Sequence, residues 1–375
     1  MFGFGILFAI FLAYVNGAND NFKGVATLFG SNSTSYKTAL TWATLTTFAG
    51  SICALILSSG LVAAFSGKGL VPDTLIHTPG FGLAIIMGTS GTVFFATRLG
   101  IPISTTHAII GSLVGVGMSA TAGVNSSQLS KAFLTPLIVS PLLAVGFAVV
   151  FYPAFRFLRL RLGIKKGMCL CIGNEVIMAA PANFSVGTSA ASLQITSLPS
   201  LMIDTQVKCV DRYQGRLLGV DVKSVLDLFH FLSSGLVCFA RGLNDTPKIV
   251  AILFLSAAFA PHLAFTLVAL AMAIGGLISS KKVAETMAHK VTGMNHGQSL
   301  TANLITSLIV IGASKIGMPV STTHVSCGAL FGIGTVNKKA NWSVIRQIVL
   351  AWALTLPIGA LIAGASFQLI TRFLA

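Results

Sequence analysis

The sequence predicts an all-α polytopic membrane protein built from two inverted-topology repeats, each of about five to six spans with broken or re-entrant helices. Three observations predict it: an apolar composition, a paired pattern of basic loops, and one short phrase that occurs twice.

Composition sets the solvent. Of 375 residues, 54% are hydrophobic and 9% charged, with a mean hydropathy of +0.87, whereas soluble domains carry about a quarter charged residues. Apolar stretches run through 2–22, 38–65, 79–99, 101–120 and 131–157, then through 229–257, 258–280, 299–316, 318–336 and 347–372. Each is long enough to approach the ~30 Å of a bilayer core, so about ten passes are expected. The first stretch lacks a basic leader and a small-residue cleavage site, and reads as a permanent span rather than a removable signal. The six cysteines (53, 169, 171, 209, 238 and 327) are scattered, so neither a disulfide framework nor a tetrahedral metal site is expected.

In a soluble chain a net charge of +15 would invite a nucleic-acid partner. Here the basic residues sit at span boundaries, where they set topology, so the partner is the lipid bilayer and no nucleic acid is expected. Arg156, Arg159, Arg161, Lys165 and Lys166 follow the fifth span and place that end in the cytoplasm. Loops 66–78 and 121–130 are nearly neutral and fall outside, while Lys281, Lys282, Lys290, Lys338, Lys339 and Arg346 fall inside. An odd number of spans per half then gives two halves of opposite orientation in the cell (inner) membrane, with both termini outside. The expected organisation is a first membrane repeat at 1–157, a cytoplasmic linker at 158–223 and a second, inverted repeat at 224–375. The linker contains short alternating runs, which suggest a small sheet, and four of the nine acidic residues. A passive connector and a regulatory element both fit it.

The repeat survives comparison residue by residue. FLAYVNGANDNFKG at 11–24 aligns without gaps on LVCFARGLNDTPKI at 236–249, placing Gly17, Asn19, Asp20 and Lys23 on Gly242, Asn244, Asp245 and Lys248. IPISTTHAIIGSLVGVG at 101–117 returns as MPVSTTHVSCGALFGIG at 318–334. A carboxylate, an amide and an ammonium inside an apolar segment are costly unless they face a cavity and one another. Gly17 and Gly242 are expected to loosen a helix before each Asn-Asp, and Gly100-Ile-Pro102 and Gly317-Met-Pro319 to stop one helix and start another. Ser104 or Thr105, and Ser321 or Thr322, would cap the new helices. Helix starts of this kind, with Thr106 and Thr323 close by, attract anions, so the repeated phrase reads as two halves of one oxyanion cradle. His107 and His324 are accessory candidates that orient neighbouring hydroxyls or touch the substrate. Arg98 and Lys315 read as boundary residues reaching the headgroups.

With these motifs, and with Gly30-Ser31 and the closing NWSVIRQIVLAWALTLPIGALIAG at 341–364, the chain resembles the inorganic phosphate transporter (PiT) family over nearly its whole length outside the linker. The resemblance implies a cation-coupled phosphate permease. Carried over by position, it implies that Asn19, Asp20, Ser104, Thr105 and Thr106 serve the substrate from the first half, and Asn244, Asp245, Ser321, Thr322 and Thr323 from the second. It also implies that Asp20 and Asp245 help to hold sodium.

Four departures bear on that last implication. Lys23 and Lys248 stand where the family usually has Asn, and Thr47 and Asn303 where it usually has Glu. Two carboxylates are lost and two ammoniums gained, which puts sodium at Asp20 and Asp245 in question and assigns a charge-compensating role to the lysines. The alternative has both lysines reaching the headgroups from helix ends. The expected function is secondary-active transport of phosphate by alternating access, without a resident cofactor and with sodium or protons as candidate coupling ions. Sulfate is the alternative cargo, and a homodimer the candidate assembly. An intramembrane hydrolase using Ser104 and His107 and an anion channel are the readings from other classes; no enzymatic activity is expected.

Overall fold

The computed structural model describes the backbone of residues 2–31, 33–162, 168–177, 196–205, 218–256, 259–290 and 295–374. Lys165, Lys166 and Cys209, and the side chains of Cys169, Cys171 and Lys290, lie outside the described residues. The chain divides into two units, Met1–Pro153 with His230–Ala375, and Ala154–Phe229. The second contains a three-stranded antiparallel sheet, Met168–Ile177 (β1), Thr196–Thr205 (β2) and Leu218–Asp221 (β3), in the order β2-β1-β3.

The first unit is helical. Its principal helices are Phe2–Asp20 (α1), Ala26–Gly30 (α2), Tyr36–Leu57 (α3), Phe81–Leu99 (α4), Thr105–Ser119 (α5), Thr135–Arg161 (α6), Val222–Ser256 (α7), Pro261–Ser279 (α8), His296–Lys315 (α9), Thr322–Val336 (α10) and Trp342–Leu374 (α11), of which α6 and α7 run into the second unit. Among the described residues seven helices are long and apolar enough to cross a membrane: α1, α3, α4, α6 with the turn before it, α7, α8 and α11. The ten expected passes therefore resolve into seven spanning-type helices and three others. Helices α5 and α10 have 15 residues each, about 22 Å at ~1.5 Å per residue, too short for the hydrocarbon core. Helix α9 has the length but buries a polar face of Gln298, Ser299, Thr301, Asn303, Thr306 and Ser307.

Glycine and proline act as expected at the two short helices. Gly100 (φ +71°) and Gly317 (φ +70°) adopt the left-handed conformation that closes the preceding helix. An extended link through Pro102 or Pro319 follows, and Ser104 and Ser321 cap α5 and α10, each accepting from the backbone N–H of the histidine three residues on.

Gly17 and Gly242 behave differently. Helix α1 ends at Asp20, but α7 runs unbroken through Asn244, Asp245 and Pro247. Both glycines serve close packing instead. A Cβ on Gly17 would penetrate the carbonyl oxygen of Met272 in α8, and one on Gly242 that of Thr47 in α3. Gly275 meets the Tyr14 carbonyl and Gly50 the Phe239 carbonyl in the same way. In the ungapped alignment Gly17 matches Gly242 and Tyr14 matches Phe239, and carrying the same spacing onward matches Gly50 with Gly275. The repeat therefore extends to the packing, with α1 lying on a helix of the second half and α7 on a helix of the first. The two halves interleave.

Candidate functional site

Interleaving brings α1, the turn after it, α7 and the two capped helix starts together. Asp20, Lys23, Arg241, Asp245 and Lys248 are all nearly fully buried. Buried charge at this density is tolerated only where each group is paired and hydrogen-bonded.

The two lysines are held by matching partners. Lys23 pairs with Asp20, and its ammonium donates to Asn19 Oδ1 (2.9 Å), to the Ile103 carbonyl (2.8 Å) and to Thr323 Oγ1 of the other half (2.7 Å). Lys248 lies 3.5 Å from Asp245 Oδ1 and donates to the Val320 carbonyl (2.7 Å) and to Thr106 Oγ1 of the other half (2.8 Å). Ile103 and Val320 are equivalent positions of the repeated phrase, as are Thr106 and Thr323. Each lysine thus holds the extended link of its own half and the hydroxyl of the opposite one. Neither reaches a headgroup, which overturns the boundary alternative; Arg98 and Lys315 are the exposed ones.

The carboxylates follow the same pattern. Thr105 Oγ1 donates to Asp20 Oδ2 at 3.2 Å, and Thr322 Oγ1 to Asp245 Oδ2 at 3.4 Å. Asn19 Nδ2 donates to Thr97 Oγ1 and the Ile101 carbonyl, and Asn244 Nδ2 to Asp245 Oδ1 and the Val320 carbonyl. Ser104 and Ser321 adjoin the cluster through the helix starts they cap.

Not every candidate joins this cluster. His107 and His324 meet edge to face with ring centroids 4.4 Å apart, and His324 stacks on Trp352 at 3.9 Å. His107 Nδ1 lies 3.2 Å from the Trp352 carbonyl, so the histidines anchor the short helices against α11. Asn303 accepts from Thr27 Oγ1 and donates to Ser233 Oγ, in a separate polar group. Thr47 touches the cluster through Arg241, at 3.5 Å.

Arg241, Asn16 and Asn21 are the residues that sequence reasoning missed. Arg241 occupies the position matching Asn16 and is the largest fully buried side chain among the described residues. Its guanidinium donates to Asn16 Oδ1 (2.7 Å) and Asn21 Oδ1 (3.2 Å), and its Nε lies 3.7 Å from Asp245 Oδ2. Asn16 in turn donates to Asp20 Oδ2 (3.1 Å) and to Thr105 Oγ1 (2.9 Å). The path from Asp245 through Arg241 and Asn16 to Asp20 joins the two half-sites. A signal was available: a charge inside the apolar run LVCFARGL is costly and marks function. With three basic side chains to two carboxylates, the cluster has a formal excess of one positive charge.

Comparisons with known proteins agree with this architecture. A Pyrococcus horikoshii protein provisionally named a phosphate permease is 27% identical, over 98% of this chain and 96% of its own. The chloroplastic inorganic phosphate transporter 2-1 of Arabidopsis thaliana is 25% identical, over 99% of this chain and 72% of its own. A solved structure described as the sodium-dependent phosphate transporter superposes with a TM-score of 0.74 at 22% identity, covering 99% of both chains, and so shares the fold. The sequence profile of the phosphate transporter family matches residues 16–363, from the Asn16 that bridges the two half-sites to the last long helix, and the chain belongs to that family.

Proposed function

We propose that this multi-pass membrane protein moves inorganic phosphate across the cell membrane as a secondary transporter, by alternating access at the buried cluster. One observation carries the reading: both Ser-Thr-Thr helix starts and both Asn-Asp-x-x-Lys segments converge on one buried network with an excess positive charge. Helix N-termini, threonine hydroxyls and fixed cations are the groups that recognise a tetrahedral oxyanion, and relatives across the family are named for phosphate.

In this reading residues 1–157 and 224–375 are repeats inserted in opposite orientations, the 158–223 linker is cytoplasmic and both termini lie outside, with three crossings in each half (α1, α3 and α6, then α7, α8 and α11) while α4 with α5 and α9 with α10 enter and leave on one side. The site consists of Asn19, Asp20, Ser104, Thr105 and Thr106 with Asn244, Asp245, Ser321, Thr322 and Thr323. Lys23 and Lys248 supply, as tethered ammoniums beside the aspartates, the positive charge that a sodium-coupled carrier takes from the bound ion. Transport therefore proceeds without sodium, driven by protons or by exchange. The hydrolase reading is disfavoured: Ser104 Oγ accepts from the His107 backbone N–H, and the His107 ring faces Trp352 and His324.

Uptake of labelled phosphate into proteoliposomes, with sulfate as competitor and sodium and proton gradients imposed separately, tests this. The expected result is saturable phosphate uptake that is unchanged when sodium is replaced and weakly inhibited by sulfate. Steep dependence on sodium would reject the role given to the lysines, and preferential inhibition by sulfate would reassign the cargo.

A further inference from the structure

We propose that the Arg241 guanidinium is a tethered cation filling an oxygen cage that would otherwise hold an alkali metal ion. Five oxygens surround it: Asn16 Oδ1 (2.7 Å), the Asn16 carbonyl (3.4 Å), Asn21 Oδ1 (3.2 Å), Thr47 Oγ1 (3.5 Å) and Asp245 Oδ2 (3.7 Å from Nε).

The donor groups of these neutral side chains point elsewhere. Asn16 Nδ2 donates to Asp20 and Thr105, Asn21 Nδ2 donates to Thr44 Oγ1 at 2.9 Å, and Thr47 Oγ1 donates to the Cys238 carbonyl at 3.2 Å. Their oxygen lone pairs are therefore turned toward the cation by the surrounding structure. Neutral amide, hydroxyl and carbonyl oxygens with a single carboxylate suit a hard monovalent ion, whereas divalent ions gather more charge.

The guanidinium does not satisfy the cage completely. Nε is buried and makes no hydrogen bond, a fit expected of a group that occupies a space shaped by oxygen donors. The second half has no such arrangement around Asn16, because the matching position is Arg241 itself, so the repeat yields a single cage. Its consequence for coupling rests on the transport reading above; the cage itself does not.

The test uses the purified full chain in detergent and reads thermal stability in sodium chloride, guanidinium chloride at low millimolar concentration, or N-methyl-D-glucamine chloride. Wild type and Arg241→Lys, which keep a tethered cation, should melt at the same temperature in sodium and in N-methyl-D-glucamine. Arg241→Ala should melt lower in N-methyl-D-glucamine and recover by at least ~3 °C in sodium or guanidinium. If Arg241→Ala cannot be purified folded, the same comparison is made on the yield of monodisperse protein extracted in each salt. Stabilisation of wild type by sodium, or failure of both ions to raise the melting temperature or the yield of Arg241→Ala, overturns the proposal. No arm contains phosphate, so this result is independent of the uptake experiment.

Discussion

At the residue scale, the contacts of Lys23 and Lys248 are the informative ones, because each crosses to the opposite half through a threonine hydroxyl. Replacing Thr106 or Thr323 by Val preserves shape and removes the acceptor that holds Lys248 or Lys23. A hydrogen bond to a charged group contributes ~1.5–3 kcal/mol, so phosphate uptake should fall at least about tenfold in either variant. Near-normal uptake by both, measured in proteoliposomes at equal reconstituted amounts, would remove these hydroxyls from the site. The lysines were legible in the sequence because they recur at matched positions beside Asn-Asp. The charge of Arg241 was legible too, but its partners were not, because Asn16, Asn21 and Thr47 become its neighbours only through packing between α1, the turn after it, α3 and α7. The pairing of His324 with Trp352 was hidden for the same reason: Trp352 belongs to α11, and nothing in its local sequence points toward a histidine.

At the scale of elements, the short helices were readable and the long ones less so. Gly100 and Gly317, each followed by a proline and a capping serine, carry their conformation in local chemistry. Continuity of α7 through Pro247 is a tertiary outcome: α7 packs against α3 at Gly50 and Gly242, and that packing offsets the backbone hydrogen bond proline removes. Close approach also decides what glycine does in these helices. Gly17→Ala and Gly242→Ala would drive a methyl group into a backbone carbonyl that no rotamer change can move. Each should reduce the yield of monodisperse protein severely, as overpacking at a rigid contact does. Gly312→Ala in α9 meets nothing within 4 Å and should be neutral or slightly stabilising. Size-exclusion profiles of the three variants check this; equal behaviour of Gly17→Ala and Gly312→Ala would contradict the packing role.

At the scale of the molecule, interleaving makes one buried cluster out of two repeats. Helix α1 lies on α8, α7 lies on α3, and the short helices are shared in the same manner: Gly111 of α5 packs on the Leu356 carbonyl of α11, and Gly328 of α10 on the Pro141 carbonyl of α6. No half closes its own cluster, since Lys23 needs Thr323, Lys248 needs Thr106, and Asp20 is tied to Asp245 through Asn16 and Arg241. This predicts how the lysines combine. Lys23→Asn leaves Asp20 without its cation, at a cost of order 3–5 kcal/mol for an unpaired buried charge, Lys248→Asn leaves Asp245 with Arg241 alone, and each removes positive charge from the proposed anion site. If both lysines serve one anion, either substitution abolishes uptake and the double variant has nothing further to lose, the non-additivity of groups that act as a unit. Two separate half-sites would behave otherwise, leaving each single variant with roughly half of the wild-type rate and only the double variant inactive. Initial rates of phosphate uptake for the two single variants and the double, at matched protein density and without sodium, distinguish these outcomes. Half-rates in the single variants would sink the shared site, even with the fold and the family unchanged.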